Sequence, residues 1–128
     1  AVNVTANWRL IRSLDPLLQA ADAGRALFMT SGAAQGCRPF TAAYSSSKAA
    51  LDALVKTYAN ENQKTAVCAN LINPGTLRTK MRAQYAPGED PATVRPPEEI
   101  VPTIIRLSQA DELTNGGIYD FPNEKWKS

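Results

Sequence analysis

Apolar residues change their spacing several times along the chain, and each change marks a predicted element. Helical spacing runs from Asn3 to about Ala21, although Pro16 should interrupt or bend that helix. Two short apolar runs, Arg25 to Met29 and Ala66 to Ile72, predict buried strands. The alanine-rich stretch from Thr41 to Asn62 contains no proline or glycine, and it predicts a second long helix.

The remainder of the chain continues the alternation of helix and strand. Residues 73 to 97 predict a long proline-rich loop with one short helix at most, near Thr79 to Tyr85. The run Pro96-Pro97-Glu98-Glu99 predicts a helix start, because a first turn tolerates proline and favours acidic residues. Asn115-Gly116-Gly117 predicts a turn into a last strand, Ile118 to Phe121. This alternation predicts an α/β fold with a parallel, Rossmann-like sheet flanked by helices.

Tyr44 and Lys48 form the pair with the most chemical meaning. They lie four residues apart in the predicted second helix and therefore share a face. A cation beside a phenol favours the phenolate form. This suits acid–base catalysis at neutral pH, since an ordinary tyrosine titrates only near pH ~10. Such pairs are common on solvated helix faces, so the pair indicates a proton-transfer site only in combination with other residues.

Two loops follow the two predicted strands and supply those other residues. Ser31 comes directly after the first strand, and Asn73-Pro74-Gly75 comes directly after the second. Open parallel sheets bind ligands at the carboxyl ends of their strands, where such loops lie. The sequence therefore predicts a pocket bordered by both loops and by the Tyr44 face of the helix.

With these residues considered together, the chain resembles the classical short-chain dehydrogenase/reductase family. The match consists of Asn3, Ser31, Tyr44 with Lys48, and Pro74-Gly75 with Thr79, in the family's order and spacing. Tyr44 follows Ser31 by 13 residues, as in the family pattern. The resemblance covers essentially all 128 residues but only the carboxyl-terminal half of the family's usual chain.

The resemblance implies a nicotinamide-dependent oxidoreductase that interconverts a carbonyl and an alcohol on a small molecule. The resemblance implies that Tyr44 is the general acid/base. It also implies that Lys48 binds the ribose hydroxyls of NAD or NADP in addition to acting on Tyr44. Ser31 would hydrogen-bond the carbonyl oxygen, and Asn3 would support a proton relay. These roles are implied by the resemblance and rest on it.

The same resemblance assigns binding residues. Cofactor-binding positions would be Tyr44, Lys48, Pro74, Gly75, Leu77 and Thr79. Substrate-binding positions would be Ser31, Gln35, Cys37 and Tyr44, with Phe40, Met81, Arg82 and Tyr85 as further candidates from their place in the loops.

Features of the family's other half are missing from the sequence. No glycine-rich turn opens a helix to hold a pyrophosphate, and no residue that would select NAD over NADP is identifiable. We therefore expect residues 1–128 to be the carboxyl-terminal half of one Rossmann-type domain whose amino-terminal cofactor-binding half is missing. The first strand, Arg25 to Met29, would then have an open edge. Open alternatives are a non-catalytic or scaffold relative, an inactive fragment, and a dehydratase or epimerase on the same scaffold.

Composition excludes several other classes of site. The chain has no histidine, which rules out a Ser-His-Asp triad or a Cys-His pair within it. Its two cysteines, Cys37 and Cys68, lack zinc-site spacing and are expected to be thiols. We interpret the scattered carboxylates as parts of solvated helix faces; they include Asp52, Glu61, Glu98 and Glu99.

Charge and hydropathy bear on partners and location. A net charge of +2 without a basic run indicates no nucleic-acid or anionic-membrane surface. No apolar stretch approaches the ~20 residues that span a bilayer, and the expected location is the cytoplasm. The two long helices are apolar over wide arcs, so we expect a homo-oligomer formed through them.

Overall fold

The computed structural model describes residues 2–75, 88 and 95–127. In this part of the chain one mixed sheet has the strand order β1-β2-β3-β4. The strands are β1 (Arg25–Met29), β2 (Cys68–Asn73), β3 (Ile118–Asp120) and β4 (Lys125–Trp126). The first three strands run parallel, which confirms the predicted α/β sheet, whereas β4 runs antiparallel to β3 and was not predicted.

The helices agree with the sequence pattern to within a few residues, apart from one short addition. A π-helical turn (Val2–Ala6) leads into α1 (Asn7–Ala20), and a 3-10 turn (Pro97–Ile100) leads into α4 (Val101–Leu107). Between them lie α2 (Ala33–Gly36) and α3 (Ala42–Glu61). The sequence predicts a loop at α2, because one helical turn is too short to show a periodic pattern. The short helix predicted near Thr79 to Tyr85 lies outside the described residues.

Pro16 does not interrupt the first helix, which keeps nearly the predicted extent. It lies inside α1, which continues to Ala20. A proline cannot donate to the carbonyl four residues earlier, here that of Arg12. Both Pro16 and Arg12 are exposed, so water can satisfy that carbonyl on the outer face of the helix.

Both faces of the sheet are covered, as the continuous burial of β2 shows. Leu71 and Ile72 are adjacent on that strand and point to opposite faces, yet both are fully buried. Leu71 packs with buried residues of α1 and α3, including Ile11 and Val55. Ile72 packs on the other face with Leu107 of α4 and with aromatic residues of the β3 region. Burial on two faces is typical of parallel sheets in doubly wound domains.

β1 lies at one edge of the sheet. It pairs with β2, and on its other side no strand among the described residues pairs with it. A groove of about 580 Å³ runs along this edge between β1 and α1, with apolar lining that includes Leu14 and Phe28. None of the described helices is long and apolar enough to cross a bilayer.

Candidate active site

Tyr44 and Lys48 lie together near the start of α3. The helix forms because its residues are mostly alanine and other helix formers without a breaker from Ala42 to Glu61. Lys48 Nζ lies 5.9 Å from the centre of the Tyr44 ring, within the range of a cation–π contact. The Tyr44 side chain is 47% exposed, so its hydroxyl group is carried at the surface of the fold.

Hydroxyl groups fix the first turn of α3, on which Tyr44 lies. Thr41 Oγ1 donates to the carbonyl of Arg38 at 2.7 Å and shares a hydrogen bond of 2.9 Å with Ser45 Oγ. Ser45 is buried, so this contact ties the helix start to the preceding loop from the inside. The next two serines bond back to the helix, Ser46 to the Ala42 carbonyl and Ser47 to the Tyr44 carbonyl. These contacts hold the turn beneath Tyr44 in place.

Lys48 connects this helix to the end of β1. Its ammonium group donates to the carbonyl of Met29, the last residue of that strand, at 3.3 Å. Ser31 lies two residues further along the chain and is partly buried. The structure thus brings the loop that carries Ser31 to the same end of the sheet as Lys48.

The loop after Ser31 packs beside α3. The Ser31 carbonyl accepts from the amide of Ala34, and α2 packs against α3. Cys37 follows with a positive φ of 47° and an exposed thiol. Phe40 also has a positive φ, 65°, and its ring is fully exposed. Gln35 is in α2, and its side chain lies outside what the structure describes.

The loop after β2 lies beside the loop after β1. A Cβ atom placed on Gly32 would lie 3.8 Å from Asn73 Nδ2, which shows how closely the two loops approach. Asn73 Oδ1 in turn accepts from the amide of Gly75 at 3.0 Å. Pro74 and Gly75 therefore border the same end of the sheet as Ser31. Leu77 and Thr79 lie outside the described residues.

Gly75 is required at its position for two separate reasons. Its φ of +68° is one that side-chain-bearing residues adopt with strain. A Cβ there would also lie 2.3 Å from Pro122 Cγ, too close for any real contact. The glycine thus lets the loop after β2 pack against the turn after β3.

The turn that carries Asn3 also contacts α3. Asn3 lies in the π-helical turn, which packs against α3 and continues into α1. Its side chain lies outside what the structure describes, so its predicted role stays a prediction.

A hydrogen bond from Tyr58 to Asp15 joins α3 to α1 near the carboxyl end of α3. Tyr58 hydroxyl donates to Asp15 Oδ1 at 2.6 Å, and Gln19 donates to the same oxygen. The Tyr58 hydrogen bond, with that of Gln19, holds the pKa of Asp15 below its usual value. Burial, reinforced by the hydrogen bond to Asp15, raises the pKa of Tyr58.

Asp52 is not the solvated carboxylate that the sequence suggested. It is only 7% exposed, and Thr30 donates a hydrogen bond to it at 2.5 Å. Glu61, Glu98 and Glu99 are exposed, as predicted. The missed signal was spacing: Asp52 lies one turn after Lys48, on the face of α3 that turns toward β1. Thr30 gave no signal of its own in the sequence.

The site as described fits the nicotinamide end of a dinucleotide. The Lys48 ammonium has three N–H donors, of which one is given to Met29, and a ribose offers hydroxyl acceptors. Gly32, in the loop after β1, leaves its backbone accessible, because a Cβ there would meet only Asn73 within 4 Å. Among the described residues no group of three or more His, Cys, Asp or Glu could hold a metal ion.

The chain is similar in sequence to short chain dehydrogenases and related oxidoreductases. A family profile described as short chain dehydrogenase matches residues 1–90. The uncharacterized oxidoreductase YciK of Escherichia coli (strain K12) is 37% identical over 117 residues, which are 91% of this chain and 46% of YciK.

Solved structures agree with the sequence matches. A short chain dehydrogenase from Salmonella enterica serovar Typhi superposes with a TM-score of 0.88 at 36% identity, over 94% of this chain and 50% of that one. A structure from Escherichia coli CFT073, described as a short chain dehydrogenase complexed with NADPH, gives a TM-score of 0.87 at 36% identity over the same shares. The chain spans about half the length of these relatives.

Proposed function

Because this chain belongs to the short chain dehydrogenase family, we propose that it supplies the proton-transfer site of a nicotinamide-dependent oxidoreductase that interconverts a carbonyl and an alcohol. The observation that carries the proposal is the placement of Lys48. It contacts the Tyr44 ring on one side and, on the other, the carbonyl of Met29, two residues before Ser31. One lysine thus links the proton donor to the strand end that would hold the substrate oxygen.

Tyr44 acts in this proposal as the general acid in reduction and the general base in oxidation. Its exposed side chain can meet a substrate, and the Lys48 ammonium group lies 5.9 Å from the centre of its ring. In reduction the phenol proton passes to the oxygen of the former carbonyl as that oxygen becomes an alkoxide. The phenolate that remains is the base for the reverse reaction.

Ser31 and Asn3 assist the proton transfer. Ser31 Oγ would hydrogen-bond the carbonyl oxygen and hold it toward Tyr44, since its loop lies at the strand end that Lys48 contacts. Asn3 would support a proton relay from its helical turn against α3. A donor fixed in advance at an oxygen that gains charge is the usual source of electrostatic stabilisation in such reactions.

The cofactor is NAD or NADP, and it supplies or accepts the hydride. Lys48 and Tyr44 would bind the nicotinamide ribose. Pro74 and Gly75, with Leu77 and Thr79, would border the nicotinamide. Structural relatives from Escherichia coli and Shigella flexneri are complexed with NADPH and NADP, which favours the phosphorylated cofactor here as well.

The substrate is a small-molecule carbonyl or alcohol held between the two loops. Ser31, Gln35, Cys37 and Tyr44 are the residues proposed to contact it. The exposed thiol of Cys37 and the exposed ring of Phe40 lie along the loop between Ser31 and Tyr44. An uncovered aromatic ring at this position is suited to an apolar part of the substrate.

We place the enzyme in the cytoplasm as a homo-oligomer assembled through α1 and α3. The support is the pair of large apolar side chains that α1 leaves exposed outside the groove beside β1, Trp8 and Leu17. Apolar surface concentrated on one helix is typical of a contact with another subunit.

The test is a turnover assay on the intact product of the native gene. NADPH and NADH are each offered with a panel of aldehydes and ketones, and both cofactor oxidation and the organic product are measured. Alcohol formed in step with cofactor oxidation supports the proposal. Product formed without net cofactor oxidation would indicate dehydration or epimerisation instead. A protein that binds neither cofactor would favour a non-catalytic role.

A further inference from the structure

A buried polar pair joins the residue after β1 to α3. Asp52 is 7% exposed, Thr30 is 5% exposed, and their hydrogen bond is 2.5 Å long. Leu51 beside Asp52 is 2% exposed and packs in the main apolar core. A buried carboxylate rarely stabilises a fold more than an apolar residue of similar size would. The pair therefore calls for an explanation other than stability.

Thr30 is held from two directions. Its amide donates to the Ile72 carbonyl at 2.9 Å, which extends the β1–β2 pairing by one residue. Its hydroxyl donates to Asp52 on α3. Ser31 follows directly, so the position of its backbone depends on how Thr30 is fixed.

Asp52 lies on the same face of α3 as the proton-transfer pair. Tyr44, Lys48 and Asp52 are four residues apart in turn and form one stripe along the helix. Lys48 and Asp52 both reach the end of β1, one to the Met29 carbonyl and the other to the Thr30 hydroxyl. Two anchors one helical turn apart fix both the rotation and the axial position of α3, whereas a single anchor would allow the helix to pivot.

We infer that Asp52 is a positioning residue, which holds Thr30 so that Ser31 and Tyr44 act on the same substrate oxygen. Asp52 itself does not touch the substrate. The inference rests on the proposed function of Ser31 and Tyr44. A displacement of reacting groups by about 1 Å can lower a rate ~100-fold, so this anchor affects turnover more than binding.

The test compares threonine-to-valine substitutions in the intact gene product. Thr30→Val removes the hydroxyl that bonds Asp52. Thr65→Val is the matched control, because Thr65 Oγ1 bonds Asn62 Oδ1 at 2.9 Å in the turn beyond the far end of α3. We expect Thr30→Val to lower kcat about 10- to 100-fold with the KM for the carbonyl changed less than threefold. Thr65→Val should leave kcat within twofold, whatever it does to thermal stability.

Variants of Asp52 separate positioning from folding. Asp52→Asn keeps an oxygen that can accept from Thr30, and it should keep kcat within about fivefold. Asp52→Leu should lose turnover as Thr30→Val does. The double variant Thr30→Val with Asp52→Leu replaces both polar groups, so it should recover thermal stability while kcat stays low.

The results that would overturn the inference are specific. Wild-type kcat in a folded Thr30→Val or in the folded double variant would do so, as would equal loss of kcat in Thr30→Val and Thr65→Val. If the wild-type protein turns over no carbonyl at all, the proposed function fails, and hydrogen exchange then decides this inference. Thr30→Val should speed exchange at the amides of Ala34, which donates to the Ser31 carbonyl, and of Ser45 at least tenfold relative to Thr65→Val. Equal exchange would contradict the anchor.

Discussion

The Nζ atom of Lys48 lies 5.9 Å from the centre of the Tyr44 ring, one helical turn away on α3. The same atom donates to the Met29 carbonyl at the end of β1. A single ammonium group therefore contacts the phenol and the strand end that precedes Ser31.

Tyr44→Phe removes the phenol hydroxyl and keeps the ring. In the intact gene product it should lower nicotinamide-linked turnover about 10²- to 10⁴-fold, the usual contribution of general acid–base catalysis. Thermal stability should be nearly unchanged, since the side chain is half-exposed. Steady-state kinetics and a melting curve measure the two effects. Turnover near that of the wild type would remove Tyr44 from the mechanism.

Lys48→Met keeps an unbranched chain and removes the charge. It should weaken cofactor binding, because the ammonium group that would donate to the ribose hydroxyls is lost. Lys56→Met, on an exposed part of the same helix, is the control. Cofactor affinity equal to that of the wild type and of Lys56→Met would leave Lys48 as a surface residue.

Gly75→Ala tests the loop after β2. The added methyl would meet Pro122 and force a side chain into a positive φ, so we expect a loss of about 2 kcal/mol or more in the free energy of unfolding. Cofactor affinity should fall as well, because the loop shifts. Gly36→Ala is the control, since a Cβ at Gly36 has no atom within 4 Å. Equal stability of the two variants would show that the loop adapts without cost.

The hydrogen bond from Tyr58 to Asp15 predicts a two-sided pH dependence of stability. The pKa of Asp15 is lowered in the folded state, so its contribution is present above the unfolded value near ~3.9 and is lost as the pH falls. The pKa of Tyr58 is raised, so its contribution is present below ~10 and is lost as the pH rises. At neutral pH the bond should contribute about 1 kcal/mol.

Denaturant unfolding between pH 3 and 11 measures this dependence. Tyr58→Phe should flatten both limbs, and Asp15→Asn should flatten the acidic limb. A Tyr58→Phe variant with the wild-type pH dependence on both sides would exclude a role for this hydrogen bond.

A polypeptide of residues 1–128 alone tests how much this part of the fold can do. Its sequence holds no glycine-rich turn that opens a helix, so it should show no nicotinamide-dependent turnover and no saturable cofactor binding at micromolar concentration. It should associate through the open edge of β1 and the apolar groove beside it. A binding titration with light scattering measures both. A monodisperse monomer with tight cofactor binding would contradict this prediction.

Local patterns in the sequence determined most of the secondary structure. The apolar run Ala26 to Met29 in β1 and the breaker-free stretch of α3 are both local patterns, and both elements formed where predicted. The Tyr44 and Lys48 pair was equally predictable, because helical geometry alone places residues four apart on one face. The α/β fold class followed from the order of these elements.

Tertiary contacts decided the features that the sequence did not indicate. β4 has only two residues, too few for a sequence pattern. It pairs with β3, where the Trp126 ring packs edge-on against the Tyr119 ring with 5.3 Å between the ring centres. Asp52 looked like one more solvated acid until the fold placed Thr30 against it. Residues distant in sequence come into contact only when the helices pack on the sheet. The local spacing of apolar residues does not indicate which distant residues these will be.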